Sequence, residues 1–259
     1  MPSGGLRTKG ITKQSQVLVT VITVVYNGKE SLEKTILSVI NQTYANIEYI
    51  IVDGSSTDGT LDIIRKYENR IDYWVSESDE GIYDAMNKGI SLATGEWINF
   101  MNSGDKFHDD GMITDVLERF NGCDIFYGNY IKNGEKCYPP KKINRLFFLM
   151  ERMVCHQAIF EKKSLLLKFP FDTNYKIVAD RKHLMECYMI AHADIIYVPH
   201  IICFYDDYGL SSDKSEFEKN SLKLVREYFG LLGLFFARTK RIVGTFFVLL
   251  RSKCNEYVN

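Results

Sequence analysis

The stretch IIVDGSSTDGT, Ile50 to Thr60, decides how this chain folds. Its apolar start belongs to a run from Ile47 to Val52 that reads as a strand buried on both faces, as in the centre of a parallel sheet. Asp53 stands at the strand's end, and the DGSSTDG segment is made of turn formers and helix caps. Leu61, Ile64 and Tyr67 then recur on one helical face. A strand that passes through a polar turn into a helix is one unit of an α/β repeat.

The same unit recurs on both sides. Upstream, Val17 to Val25 is almost wholly apolar and β-branched and ends at Tyr26-Asn27; Leu32, Ile36, Val39 and Ile40 mark a helix that stops at Asn41-Gln42. Downstream, Tyr73 to Val75 is a short strand ending at Ser76-Glu77, and Ile82, Met86 and Ile90 define a helix. Trp97 to Met101 is a further strand, closed by Asn102-Ser103-Gly104-Asp105. This alternation predicts a mostly parallel central sheet flanked by helices, with right-handed crossovers. Ligands of such sheets sit at the carboxyl ends of the strands, where every one of these polar clusters falls. Beyond them, Met112 to Phe120 and Ala179 to Ala191 have helical patterns, and Asp124 to Ile131 and Ile195 to Tyr205 read as strands. Residues 132–155 are less regular.

The bulk properties exclude several classes. The 259 residues suffice for one large α/β domain with an appendage. A net charge of -1 gives no global field for nucleic acid. Six cysteines (Cys123, Cys137, Cys155, Cys187, Cys203 and Cys254) show neither C-x-x-C nor zinc spacing and read as reduced thiols of a cytosolic protein. The polar N-terminus lacks the apolar segment of a secretory signal. No G-x-G-x-x-G follows the first strand, which argues against a dinucleotide-dependent dehydrogenase.

In this order and spacing, VITVVYN (Val21 to Asn27), IIVDGSSTDGT and GEWINFMNSGD (Gly95 to Asp105) resemble the nucleotide-sugar half of a family 2 glycosyltransferase with the GT-A fold, of the bacterial polysaccharide-biosynthesis type. The resemblance covers 17–130 and more loosely 150–213, which gives a GT-A catalytic domain (17–213); a flexible lead (1–16) precedes it and a C-terminal helical tail (214–259), outside the family pattern, follows. Within the domain, 17–130 is the nucleotide-sugar half and 131–213 the acceptor half.

The resemblance also implies roles. Asp53 accepts the N3–H of uracil, Tyr26 lies against the same base, and Asp79 contacts the nucleoside. Asn87 and Asn102 are candidates for the sugar or phosphates. Residue chemistry alone leaves Asp53 open as a turn carboxylate, and reads Asp84 with Lys88 as a solvated i, i+4 pair. NSGD stands where the family usually carries D-x-D. Asp105 is then the one carboxylate left to hold Mg²⁺ or Mn²⁺ against the diphosphate. FDTNYKIVADRKHLMEC, Phe171 to Cys187, resembles the acceptor-side segment, with Asp180 at the position of the catalytic base; helix capping is the alternative for that residue. His156 and Gln157 resemble a segment lining the acceptor or diphosphate side. YDDYGLSSD, Tyr205 to Asp213, resembles a loop that closes over the diphosphate.

The implied activity is inverting transfer from a UDP-sugar to a hydroxyl of a lipid-linked glycan acceptor, in capsule, lipopolysaccharide or exopolysaccharide synthesis. Transfer to a polyprenyl phosphate, which needs no base, and nucleotide-sugar binding without turnover stay open. From Tyr228 to Leu250, an aromatic face (Tyr228, Phe229, Leu232, Phe235, Phe236, Val243, Phe246, Phe247, Leu250) is backed by Arg238, Lys240, Arg241 and Arg251. That pattern suits a helix lying in a membrane interface rather than spanning it. The expected location is cytoplasmic, peripheral on the inner face of the membrane; packing of the tail on the catalytic domain or in a homodimer is the alternative.

Overall fold

The computed structural model describes residues 1–13, 17–120, 122–205 and 214–256, without the side chains of 118–120, 214 and 241–256. The strands are β1 (Ser3–Gly4), β2 (Val19–Val25), β3 (Ile47–Asp53), β4 (Tyr73–Ser76), β5 (Trp97–Phe100), β6 (Lys106–Phe107), β7 (Ile125–Lys132), β8 (Glu135–Cys137), β9 (Ile159–Lys162) and β10 (Ile195–Tyr205). The helices are α1 (Leu32–Ile40), α2 (Thr60–Lys66), α3 (Ile82–Leu92), α4 (Met112–Phe120), α5 (Arg145–Leu149), α6 (Lys163–Lys168), α7 (Ala179–Met189) and α8 (Lys214–Glu256).

The strands form one sheet in the order β1-β4-β3-β2-β5-β9-β7-β10-β6, with β8 paired to β7. The β4-β3-β2-β5 block is parallel throughout, as the alternating units require. The second half is mixed: β9 runs antiparallel between β5 and β7, while β7 and β10 are parallel. Alternate residues of the central strands feed opposite cores. Ile22, Val24, Ile50 and Val52 pack on the α3 side, and Val19, Val21, Tyr49 and Ile51 on the α1 and α4 side. Burial on both faces explains why these strands read as unbroken apolar runs.

Three expectations change. The lead is not free of the domain in its first nine residues: β1 pairs antiparallel with β4, and the Arg7 guanidinium donates to Leu92 O (2.8 and 2.5 Å) and lies 3.4 Å from buried Glu48. The lead thereby covers the backbone edge that β4 would otherwise present. β9 and α6, absent from the periodicity reading, occupy His156 to Lys168 with the 3-10 turn His156–Ala158. The tail is one α8 element broken at Gly230 (φ 66, ψ -162), so a continuous face from Tyr228 onward does not form. Of the YDDYGLSSD segment, only Tyr205 lies within the described residues.

Candidate active site

The carboxyl end of β2 organises the site. Its last carbonyls accept from both neighbouring loops: Ser103 N donates to Val24 O (3.2 Å) and Gly54 N to Val25 O (2.8 Å). The turn after β3 and the NSGD loop after β5 thus flank one strand end. Ser31 Oγ and Ser103 Oγ meet at 2.9 Å across the same gap. The connection after β2 opens in left-handed backbone at Asn27 (φ 47), and Ser55 (φ 61) does the same after β3. Such conformations cost energy and persist where surrounding contacts hold them. Here Asn27 N donates to Ser56 Oγ (2.7 Å), and Asn27 Oδ1 accepts from Thr57 N (2.9 Å).

Asp53 is fully buried at the tip of β3. Its Oδ2 accepts from Ser76 Oγ (2.6 Å) and Ser56 N (3.1 Å), while Oδ1 is buried with no hydrogen-bond partner. The turn-carboxylate reading therefore describes one oxygen and leaves the other unused. An unpaired buried carboxylate oxygen is costly, so it is a strong acceptor for an incoming N–H. Tyr26, 68% exposed, and Asp79 close on the same spot: a Cβ on Gly54 would lie 3.4 Å from the Tyr26 ring and 2.5 Å from Asp79 Oδ2. Only glycine leaves that approach open. Capping of α2 falls to Asp58, whose Oδ1 accepts from Thr60 N (3.0 Å), so Asp53 is not needed there.

The NSGD loop connects to the acceptor half through two bridges. Asp105, buried, accepts at Oδ2 from Gln157 Nε2 (2.6 Å). Asn102 Nδ2 pairs with His156 Nε2 (2.9 Å), and His156 Nδ1 lies 3.5 Å from Asp180 Oδ2. Asp180 Oδ1 accepts from Arg181 N (2.9 Å) and lies 3.0 Å from Tyr83 OH, whose single proton is shared with the closer Ile177 O (2.7 Å). Burial works against a charge on His156, but the Asp180 carboxylate outweighs it, with smaller contributions from Cys155 and Asp105. The ring's pKa therefore rises above its ordinary value. Burial first, and the Asp180 charge second, push the Tyr83 phenol well above its usual range, so it stays a donor. His156 joins the loop after β5 to the first turn of α7, and Gln157 fastens the same loop at Asp105.

Asn87 is drawn elsewhere. Its Nδ2 donates to Phe171 O (2.8 Å) and its Oδ1 accepts from Phe171 N (3.0 Å), a side-chain clamp on one peptide unit. That pairing accounts for an amide on α3 without a ligand. Asp84 and Lys88 form the expected i, i+4 pair at 3.1 Å, which Glu77 shares, also at 3.1 Å. Tyr83, which contacts Asp180, and Ser76, which donates to Asp53, are neighbours of the candidate residues that the sequence does not single out. Tyr83 sits one residue from the apolar Ile82-Met86-Ile90 stripe and reads as core, whereas Ser76 was visible at a strand end with nothing to name its partner.

The donor set at Asp105 fits a hard divalent cation. It offers one carboxylate and, three residues earlier on the same loop, the buried Oδ1 of Asn102, which has no hydrogen-bond partner. Mg²⁺ accepts such a set when phosphate oxygens and waters complete its shell. One other cluster among the described residues has metal-ligand chemistry: Glu161, His183 and Cys187. Its Glu161 Oε2 to His183 Nε2 separation of 2.5 Å is a hydrogen-bond contact too short to admit an ion. His183 Nδ1 donates to Phe169 O (2.6 Å), and the Glu161 charge outweighs burial to raise the ring's pKa well above its ordinary value. This is a buried, proton-bridged pair that fastens α7 to β9. Cys137, Cys155, Cys187 and Cys203 are free thiols. Beside Asp180 lies a small recess of about 10 Å³, lined by Phe147, Phe148, Met153, Val154 and Leu184.

Known proteins similar to this chain are glycosyltransferases. The Glycosyl transferase family 2 model matches residues 20–181. A PGL/p-HBAD biosynthesis glycosyltransferase of Mycobacterium bovis (strain BCG / Pasteur 1173P2) is 27% identical over 199 residues, 74% of this chain and 78% of that protein. The Bacillus subtilis protein TuaG, assigned to teichuronic acid biosynthesis, is 42% identical over 96 residues, 36% of this chain and 38% of TuaG. S. aureus TarS 1–349 in complex with UDP-GlcNAc matches with a TM-score of 0.65 at 18% identity, over 81% of this chain and 67% of that one. Against the longer TarS structure the match covers 39% of that chain.

Proposed function

The chain belongs to glycosyl transferase family 2, and from that premise we propose that it is an inverting enzyme that moves a sugar from a UDP-sugar to a hydroxyl of a glycan acceptor in bacterial polysaccharide synthesis. One observation carries the reading: Asn102, in the loop that shares the β2 strand end with Asp53, is bridged through His156 toward Asp180, and Gln157 beside His156 holds Asp105 of the same loop. A donor site and a base on its acceptor side therefore belong to one cleft.

On this reading the orphaned Oδ1 of Asp53 takes the uracil N3–H, and Tyr26 covers the base. Asp79 faces the nucleoside beside Gly54. Asp105, with Asn102, would hold the divalent cation, which when bound neutralises charge on the departing diphosphate. Asp180 removes the proton of the acceptor hydroxyl. The oxygen forms its bond to the anomeric carbon as the bond to the β-phosphate oxygen breaks, from the opposite face, so the configuration inverts and UDP leaves with the electron pair. Tyr83 and the Arg181 N–H occupy Asp180 Oδ1, which aims Oδ2 at the acceptor and His156. UDP-GlcNAc in TarS and teichuronic acid in the assignment of TuaG support a UDP-sugar and a bacterial polymer. Nucleotide sugars are cytoplasmic, and so is the expected location.

Asp180→Asn tests the assignment. It should leave UDP affinity unchanged and lower transfer by about 10²- to 10⁴-fold. Turnover that survives the substitution with UDP still bound would instead favour attack by a phosphate acceptor, which needs no base.

A further inference from the structure

Beyond Gly230, α8 turns the wrong side outward. Its small residues Gly233 and Ala237 are buried, with Leu149 of α5 only 3.5 Å from where a side chain on Gly233 would begin. The large apolar residues face solvent: Leu231 is 72% exposed, Leu232 86%, Phe235 69% and Phe236 42%, and Leu146 on adjoining α5 is 57% exposed. A helix stabilised by packing on its own domain shows the reverse pattern. The helix is nonetheless seated. Lys240 Nζ donates to Met150 O (2.6 Å), Arg145 lies over the Phe229 ring, and Tyr228 OH donates to Glu186 Oε1 (2.8 Å). The apolar face is thus held outward by fixed contacts on the opposite side.

The charge says what covers it. From Leu231 to Asn255 the sequence carries no acidic residue and, besides the Lys240 held at Met150 O, the cations Arg238, Arg241, Arg251 and Lys253. An anionic bilayer takes the cations at its headgroups while the Leu and Phe side chains enter the acyl boundary. No helix among the described residues is long and apolar enough to cross a membrane. We infer that the α5–α8 face, Leu146 with Leu231, Leu232, Phe235 and Phe236, docks on an anionic lipid surface and thereby presents the Asp180 side of the cleft to a lipid-borne acceptor.

The link to the site is α5 itself. Its Phe147 and Phe148 line the recess beside Asp180, and its Leu149, with Met150 just beyond it, meets α8. An acceptor anchored in the bilayer is then about one helix diameter, roughly 10 Å, from the base. This second step rests on the reading of Asp180 given above; the docking itself does not.

Cosedimentation of the full chain with sucrose-loaded vesicles tests the inference. Vesicles containing phosphatidylglycerol should bind the protein, pure phosphatidylcholine far less, and rising salt should release it. Leu232→Ser with Phe235→Ser should lower partitioning at least about tenfold. Arg238→Gln with Arg241→Gln should weaken binding to the anionic vesicles alone. UDP affinity, measured in solution, should be unchanged in both variants, which verifies folding and separates this inference from the donor reading. Vesicle binding without UDP binding would sink the donor reading and leave the docking intact. Failure to bind anionic vesicles overturns the inference, as does binding that ignores the Leu232 and Phe235 changes. A concentration-dependent dimer lost with those same changes, without vesicle binding, assigns the face to a second copy and equally overturns it.

Discussion

The two halves of the sheet place their functional groups by different means. In the parallel half, β4-β3-β2-β5, the candidate residues lie at or just past the strand ends: Tyr26, Asp53, Asp79 and Asp105 come in chain order at or after β2, β3, β4 and β5. In the mixed half nothing follows so directly. Asp180 stands at a helix start, and it reaches the NSGD loop only because antiparallel β9 and the turn before it carry His156 and Gln157 across. The donor half is thus built by topology, and the acceptor half by side-chain hydrogen bonds.

If that contrast is right, damage should look different on the two sides. The largest effect belongs to Asp180→Asn, already described, which strikes chemistry and spares UDP binding. Next comes Glu161→Gln, which leaves His183 without its counter-charge inside the protein. Breaking a buried pair costs about 3–5 kcal/mol, read as a lower midpoint in denaturant. The same pair sets a pH dependence. The folded pKa of His183 lies well above its unfolded value near 6.5, so the stabilisation is complete below that value. It is lost as pH rises through the folded pKa. Thermal scans should show this fall in the parent and a flatter profile in Glu161→Gln.

On the donor side, Asp53→Asn should weaken UDP roughly tenfold to a hundredfold by calorimetry, the loss of one charge-assisted hydrogen bond, with little change in turnover at saturating donor. The smallest effect separates a clamp from a ligand. Asn87→Ala should cost about 1–2 kcal/mol of stability through the two lost bonds to Phe171, while the donor KM stays the same. A raised KM at unchanged stability would return Asn87 to the site.

This contrast also explains what could be read from the residues. Runs such as Ile47 to Val52 announce a doubly buried strand by composition, and the polar residue after each is placed by the strand itself. Asp53 therefore needed no tertiary information, nor did the loop of Asp105. His156 and Gln157 belong to a short segment, VCHQAIF, with no period that says strand. Its insertion between β5 and β7 depends on partners far along the chain. Asn87 misled because a helix-borne amide near polar residues looks the same whether it meets a sugar or a peptide group. The tail's face was legible as amphipathic but not as broken, since one left-handed glycine at 230 reorients everything after it.

The claim on which all this depends is that Asp53 and Asp105 flank one nucleotide-sugar cleft. A crystal structure of the chain with UDP and Mn²⁺ tests it most directly. The account predicts the uracil N3 at hydrogen-bond distance, about 2.9 Å, from Asp53 Oδ1, with the diphosphate beside Asp105. A nucleotide bound away from the β2 strand end, or with its base on the Asp180 side, would contradict it.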